Sequence, residues 1–154
     1  PTKPRKVQHT LETCYTDTYI NAMNASTWYR ELIRPEWAPP ASVFGPVWSV
    51  LYLIIAITYG YVGYRYFVTG DLPFLVVLPF LLNLVFNFAF TPLQFGLQNN
   101  LLAAIDVVLV LGTLIWAMIA IFPYAHWVAY ANVPYLLWVS FATVLQITIT
   151  YLNW

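Results

Sequence analysis

The chain has 154 residues, 61% of them hydrophobic and 8% charged, with six basic and six acidic side chains and a formal net charge of zero. So few charges cannot solvate a soluble surface, where about a quarter of residues are charged. A neutral chain without a basic patch also offers no footprint for nucleic acid. The single cysteine, Cys14, excludes an intrachain disulfide.

Residues 1–27 read as a polar N-terminal arm, and residues 28–154 as one transmembrane helical domain. The arm is rich in Thr and Asn, carries Lys3, Arg5, Lys6, Glu12 and Asp17, and has no apolar core of signal-peptide length. A surface arm, an amphipathic segment and a partly disordered tail all fit it. Next come Trp37-Ala38-Pro39-Pro40 and Phe44-Gly45-Pro46-Val47-Trp48 with Tyr52. Pro39 and Pro40 remove two backbone donors, so the chain must arrive extended and then turn. Trp and Tyr at such a junction suit a membrane interface. An entrance this rigid points to a ligand site inside a membrane.

Four continuous apolar runs follow, at residues 43–67, 72–90, 101–122 and 131–151. Each is close to the roughly 20 residues a helix needs to cross the hydrocarbon core. Continuous runs, without alternation, favour helices over barrel strands. The expected fold is therefore all-α: a polytopic membrane bundle of four transmembrane helices. Its connections, at residues 69–71, 92–100 and 123–130, are short enough to make sequential helices antiparallel neighbours. Pro79 should kink the second span or mark where its regular helix begins. Lys3, Arg5, Lys6, Arg30 and Arg34 precede the first span, and only Arg65 lies in a later loop. An even number of spans puts both termini on one side, and the positive-inside bias makes that side cytoplasmic or its equivalent.

Polar and aromatic side chains recur at helical spacing within the spans. Trp48 and Tyr52 share a face, as do Asn83, Asn87 and Phe90, and as do Trp138, Ala142 and Gln146. Polar groups at membrane depth must turn inward and find partners, so these three stripes outline a cavity with aromatic walls. Such walls suit a flat, largely apolar ligand. Taken singly, Asn83, Asn87 and Gln146 read first as interhelical glue. Asp106, near the start of the third span, reads as a structural hydrogen-bonding group ahead of a catalytic one. Trp116, Trp127 and Trp154 read as interface anchors, and His126 as an edge residue. No Cys/His cluster has metal-ligand spacing, no Gly-rich phosphate loop is present, and two outlying histidines make no catalytic triad. The residues indicate a protein that is not an enzyme.

Several segments in order carry a resemblance to a known family. They are Trp28-Tyr29 to Pro35, the Trp37 to Pro40 and Phe44 to Trp48 motifs, Leu51-Tyr52, and Asn87-Phe88-Ala89-Phe90 through Phe95-Gly96. Ala104-Ile105-Asp106 and the run from Pro134 to Thr143 complete the set. From about Trp28 to its end the chain resembles the translocator protein family, the tryptophan-rich sensory proteins also known as peripheral-type benzodiazepine receptors. The resemblance implies a five-helix bundle that dimerises and binds porphyrins, sterols and aromatic drugs beneath the loop joining its first two helices. On this chain it implies a lid of Trp28 and Tyr29 with a rim of Pro39 and Pro40. Trp48 and Tyr52, Asn87 and Phe90, and Trp138 and Ala142 would be the walls, the same inward set that helical spacing defines together with Asn83 and Gln146. No cofactor is required; a porphyrin or haem-like tetrapyrrole, another pigment, or a lipid or sterol would be the ligand. Light-dependent tetrapyrrole breakdown is a minor option that the resemblance leaves open.

The chain departs from the family pattern in three places. A first family helix should precede Trp28, but residues 2–25 carry charges costing about 2.5–3.5 kcal/mol each near a bilayer centre. Four spans are therefore expected, with the first family helix absent and one pocket wall open to lipid or filled by a partner. Gln146 stands where many relatives have Asn, and Phe90 where many have Trp. Two functions follow: a binding or transport protein for a tetrapyrrole-like ligand, or a structural subunit of a respiratory or photosynthetic membrane complex whose partner replaces the missing helix. The expected partners are membrane lipids, the ligand, and a second copy or a larger complex. The expected location is a bacterial inner membrane or a mitochondrial or plastid membrane.

Overall fold

The computed structural model of the protein describes residues 27–28 and 31–154. The expectations for the polar arm, for the absent first family helix and for Tyr29 lie outside the described residues. Within them the chain is all-helical, and four helices are long and apolar enough to cross a membrane: Ala41–Thr69, Phe74–Gly96, Asn100–Ile121 and Val133–Leu152. With these four helices, the protein is an integral membrane protein.

Helix α1 spans Ala41–Tyr64. Pro40 precedes it in an extended conformation (φ −61°, ψ 146°), and its carbonyl accepts from Val43 N at 3.0 Å, so the diproline both ends the extended entry and starts the helix. A π-helical turn, Arg65–Thr69, follows and stops at Gly70, whose φ of 68° is a left-handed cap that glycine adopts without a Cβ penalty. The Arg65 guanidinium grips the Asp71 carboxylate and donates to Tyr124 O at 3.2 Å, tying this turn to the loop after the third span.

Helix α2 spans Phe74–Thr91, so regular helix begins ahead of Pro79, which is buried inside it and does not mark its start. The helical path also outlasts the expected end at Pro92, continuing as a π-helical turn over Pro92–Gly96. Pro92 sits at helical angles (φ −64°, ψ −32°), and the wider turn closes through Leu97 N to Pro92 O at 2.9 Å, a bond that needs no N–H from proline. The expected loop at 92–100 is thereby reduced to a tight link, in which Gln98 has φ 50° and Asn99 caps α3 by accepting from Leu102 N at 3.0 Å.

Helix α3 spans Asn100–Ile121, and a further helix, α4 (His126–Ala131), occupies what reads in the sequence as a loop. Its Val128 and Ala129 are buried in the core, and Trp127 packs edge-on against Tyr61 at 4.9 Å. Helix α5 covers Val133–Leu152 with Pro134 in its first turn, where a missing N–H costs nothing. Helix α3 packs most extensively against α2 and α5, while α1 touches α2, α4 and α5 more sparingly. Ala103, Ala104 and Ala117 are buried on α3, and small side chains allow close helix approach in a membrane.

The core runs through Leu51, Ile55, Val62, Val77, Phe80, Leu114, Ile121 and Tyr135. Large apolar side chains such as Ile57, Val85, Phe88, Ile119 and Leu137 point outward. Helices apolar on every side belong in lipid, because water would leave that surface unsolvated.

Candidate functional site

A polar chain crosses the centre of the bundle. Tyr52 Oη donates to Asn87 Oδ1 at 3.2 Å, Asn87 Nδ2 donates to Tyr135 Oη at 2.7 Å, and Tyr135 Oη donates to Asn83 Oδ1 at 3.2 Å. Tyr59 Oη reaches the same Asn83 oxygen at 2.7 Å, and Asn83 Nδ2 donates to Val110 O at 2.9 Å and Thr113 Oγ1 at 3.3 Å. Four helices are thus joined through two carboxamides, and each group meets the requirement that buried polar atoms be paired.

Beside this chain lies a cavity of about 390 Å³. Helix α1 contributes Ala41, Phe44, Trp48 and Tyr52 to it, spaced so that the last three repeat every four residues on one face. Asn87, Phe90 and Thr91 come from α2, and Gln94 and Phe95 from its π-helical turn. Val107 and Val110 of α3 close one side, and Val139, Ala142, Leu145, Gln146 and Ile149 of α5 another. Trp48 lies 5.3 Å from Tyr52 and 6.4 Å, edge-on, from Tyr135, so the aromatic wall is braced from behind. Among the described residues no charged side chain lines the cavity.

Six of the residues singled out in the sequence meet at this cavity: Trp48, Tyr52, Asn87, Phe90, Ala142 and Gln146. Asn83 sits behind the wall, fully buried and engaged as helix glue. Trp138 is displaced to the side, lining a shallow apolar groove between α1 and α5 with Pro46, Val47 and Leu137. Its ring meets Phe44 at 5.6 Å, so it backs the wall without lining it, and its Nε1 has no partner among the described residues. The eight residues from Trp138 to Gln146 turn a helix about 80° past two full turns, enough to carry the two side chains onto different faces. Trp28 is half-buried, and Trp28, Pro39 and Pro40 are not among the lining residues.

The segment ahead of α1 is fastened near the cavity. Asn153 takes both backbone groups of Ile33: Ile33 N donates to Asn153 Oδ1 and Asn153 Nδ2 donates to Ile33 O, each at 2.9 Å. Trp37 rests edge-on against Phe141 at 5.9 Å.

Phe44, Gln94 and Ile149 escape the sequence reading. Phe44 was signalled by its four-residue offset from Trp48. Gln94 was hidden, because Pro92 marked the region as a loop. Asp106 departs from its expected structural bond: it is buried, and its Oδ2 has no partner among the described residues. Among the described residues no three His, Cys, Asp or Glu side chains gather as a metal site. The described ion pair, Arg65–Asp71, lies at the far end of α1, where Arg65 and the Thr69 hydroxyl hold the Asp71 carboxyl down to about 2.

Comparison with known proteins places the chain in a family. The pattern of the TspO/MBR family matches residues 9–152, beginning ahead of Trp28. The chain is 39% identical over 84 residues to the tryptophan-rich protein TspO of Bacillus cereus, covering 54% of this chain and 53% of that one. It therefore spans about half the length of that relative. It is 35% identical over 126 residues to the uncharacterized membrane protein YtaB of Bacillus subtilis, covering 82% and 80%, and 34% identical over 115 residues to the human translocator protein, covering 65% and 66%. With a match across nearly its whole length, the chain belongs to the TspO/MBR family.

Proposed function

We propose that this protein binds a flat, largely apolar ligand of tetrapyrrole type in the cavity between α1, α2, α3 and α5, holding it or passing it within the membrane. The observation that carries this reading is the composition of the wall: Trp48, Tyr52, Phe44 and Phe90 supply aromatic faces, and neutral carboxamides are the main polar groups. A volume of about 390 Å³ falls within the range typical of small-molecule sites. The names of the translocator relatives support a transport role. Dimerisation and a bacterial or organellar location belong to the same proposal.

The test is titration of the purified protein with protoporphyrin IX, read by tryptophan fluorescence. Saturable quenching is expected, and Trp48→Ala should weaken it about tenfold, consistent with roughly 1–3 kcal/mol for stacking of one flat ring. Absence of quenching in a folded sample would sink the proposal. The subunit reading gains no support here, because the polar segment behind it lies outside the described residues and much of it falls within the family match.

A further inference from the structure

At the level of the α2 π-helical turn, the cavity wall contains a chain of carboxamides with a fixed direction. Gln94 Nε2 donates to Asn100 Oδ1 at 3.2 Å. Gln146 Nε2 donates to Gln94 Oε1 at 3.1 Å and to the Asn100 backbone carbonyl at 3.4 Å. A reversed chain would satisfy the three side chains equally well, but it would press the Gln146 oxygen against that backbone carbonyl. A carbonyl can only accept, so it decides the orientation: nitrogen toward the backbone, oxygen left over. Gln146 is 5% exposed and lines the cavity, and its Oε1 takes no hydrogen bond among the described residues. Thr150 Oγ1 donates to the same Asn100 carbonyl at 3.0 Å and steadies this corner.

We infer that Gln146 Oε1 is a fixed acceptor that reads a hydrogen-bond donor on the bound ligand, with Gln94 as the residue that positions it. This inference rests on the ligand-binding reading of the cavity. The cavity then favours flat, neutral molecules carrying an N–H or O–H over otherwise identical ones without it. The physical reason is asymmetric: a ligand without a donor strips water from Gln146 Oε1 and returns nothing. With no charged side chain among the described lining residues, a neutral donor of pyrrole, indole or phenol type is the matching chemistry.

Carbazole and N-methylcarbazole form the test pair, having the same ring system with and without the N–H. Each is titrated into the protein in lipid nanodiscs by tryptophan fluorescence, with partition into empty nanodiscs subtracted. Carbazole should bind about two- to tenfold more tightly, the effect of one net hydrogen bond. Gln146→Leu should bring that ratio close to one, chiefly by raising N-methylcarbazole affinity, since that ligand no longer strips water from an unpaired oxygen; Gln94→Leu should independently lower the ratio by freeing the Gln146 carboxamide to turn. Equal affinities in the unaltered protein, or a preference that survives Gln146→Leu, would overturn the inference while leaving the cavity as a binding site. If neither probe binds the folded protein, the ligand-binding reading falls with it. The comparison in the unaltered protein needs no variant, so a folding defect in either one does not shelter the inference.

Discussion

Replacing Asn83 by Leu keeps the branching and heavy-atom count of a buried side chain and removes four hydrogen bonds, to Tyr59, Tyr135, Val110 and Thr113. Hydrogen bonds between helices in a membrane average about 0.6 kcal/mol each, so their sum is about 2.4 kcal/mol. The residues left behind differ in what they lose. Tyr135 keeps its bond from Asn87 at 2.7 Å, and the Thr113 hydroxyl keeps Leu109 O at 2.7 Å. The Tyr59 hydroxyl keeps no partner among the described residues, and stranding a buried hydroxyl costs about 1–3 kcal/mol. Asn83→Leu should therefore destabilise the bundle by about 2–4 kcal/mol. Reversible unfolding in mixed micelles with increasing SDS, followed by circular dichroism, measures this directly. A double-mutant cycle with Tyr59→Phe should return a coupling of about 0.6–1.7 kcal/mol, because the two side chains share one bond. A loss under about 0.5 kcal/mol for Asn83→Leu would show that the network does not hold the helices together.

Asn153→Ala removes both bonds to the Ile33 backbone and should raise amide hydrogen exchange at Ile33 with little change in the core of α3; unchanged exchange at Ile33 would refute the fastening. The Asp71 carboxyl is lowered from 3.8 to about 2 by Arg65 and Thr69. A depressed carboxylate stabilises the fold above its unfolded value and loses that effect as pH falls through the folded one. Thermal stability should therefore show an Asp71-dependent decline between about pH 4 and pH 2 and none near neutrality. Asp71→Asn should lack this decline, and identical acid profiles for the two proteins would refute the pairing.

Much of the architecture was legible in the sequence because a bilayer permits few solutions. Long runs without charge, bounded by Pro and by Thr69-Gly70-Asp71, have to be helices, since lipid offers the backbone no other partner. The structure departs from the sequence pattern where a proline stands at a helix end. Pro92 lies at helical angles in a π-helical turn, and that turn brings Gln94 to the cavity. Helix α4 is not legible in the sequence because six residues are too short a window for periodicity to distinguish from a loop.

The sequence by itself determined the solvent, the number of apolar spans and the inward turn of the scarce polar groups, because each follows from the cost of placing charge or unpaired backbone in hydrocarbon. It could not divide the inward-facing residues between glue and cavity. Asn83 and Asn87 both face inward, one turn apart on α2. One is sealed among Tyr59, Tyr135, Val110 and Thr113; the other bonds Tyr52 and Tyr135 while still lining the cavity. Trp138 and Gln146 parted in the same way. Spacing along a helix determines the side on which a residue lies. Whether that side meets a packed neighbour or open space depends on how closely the other helices approach, and only the tertiary structure decided that.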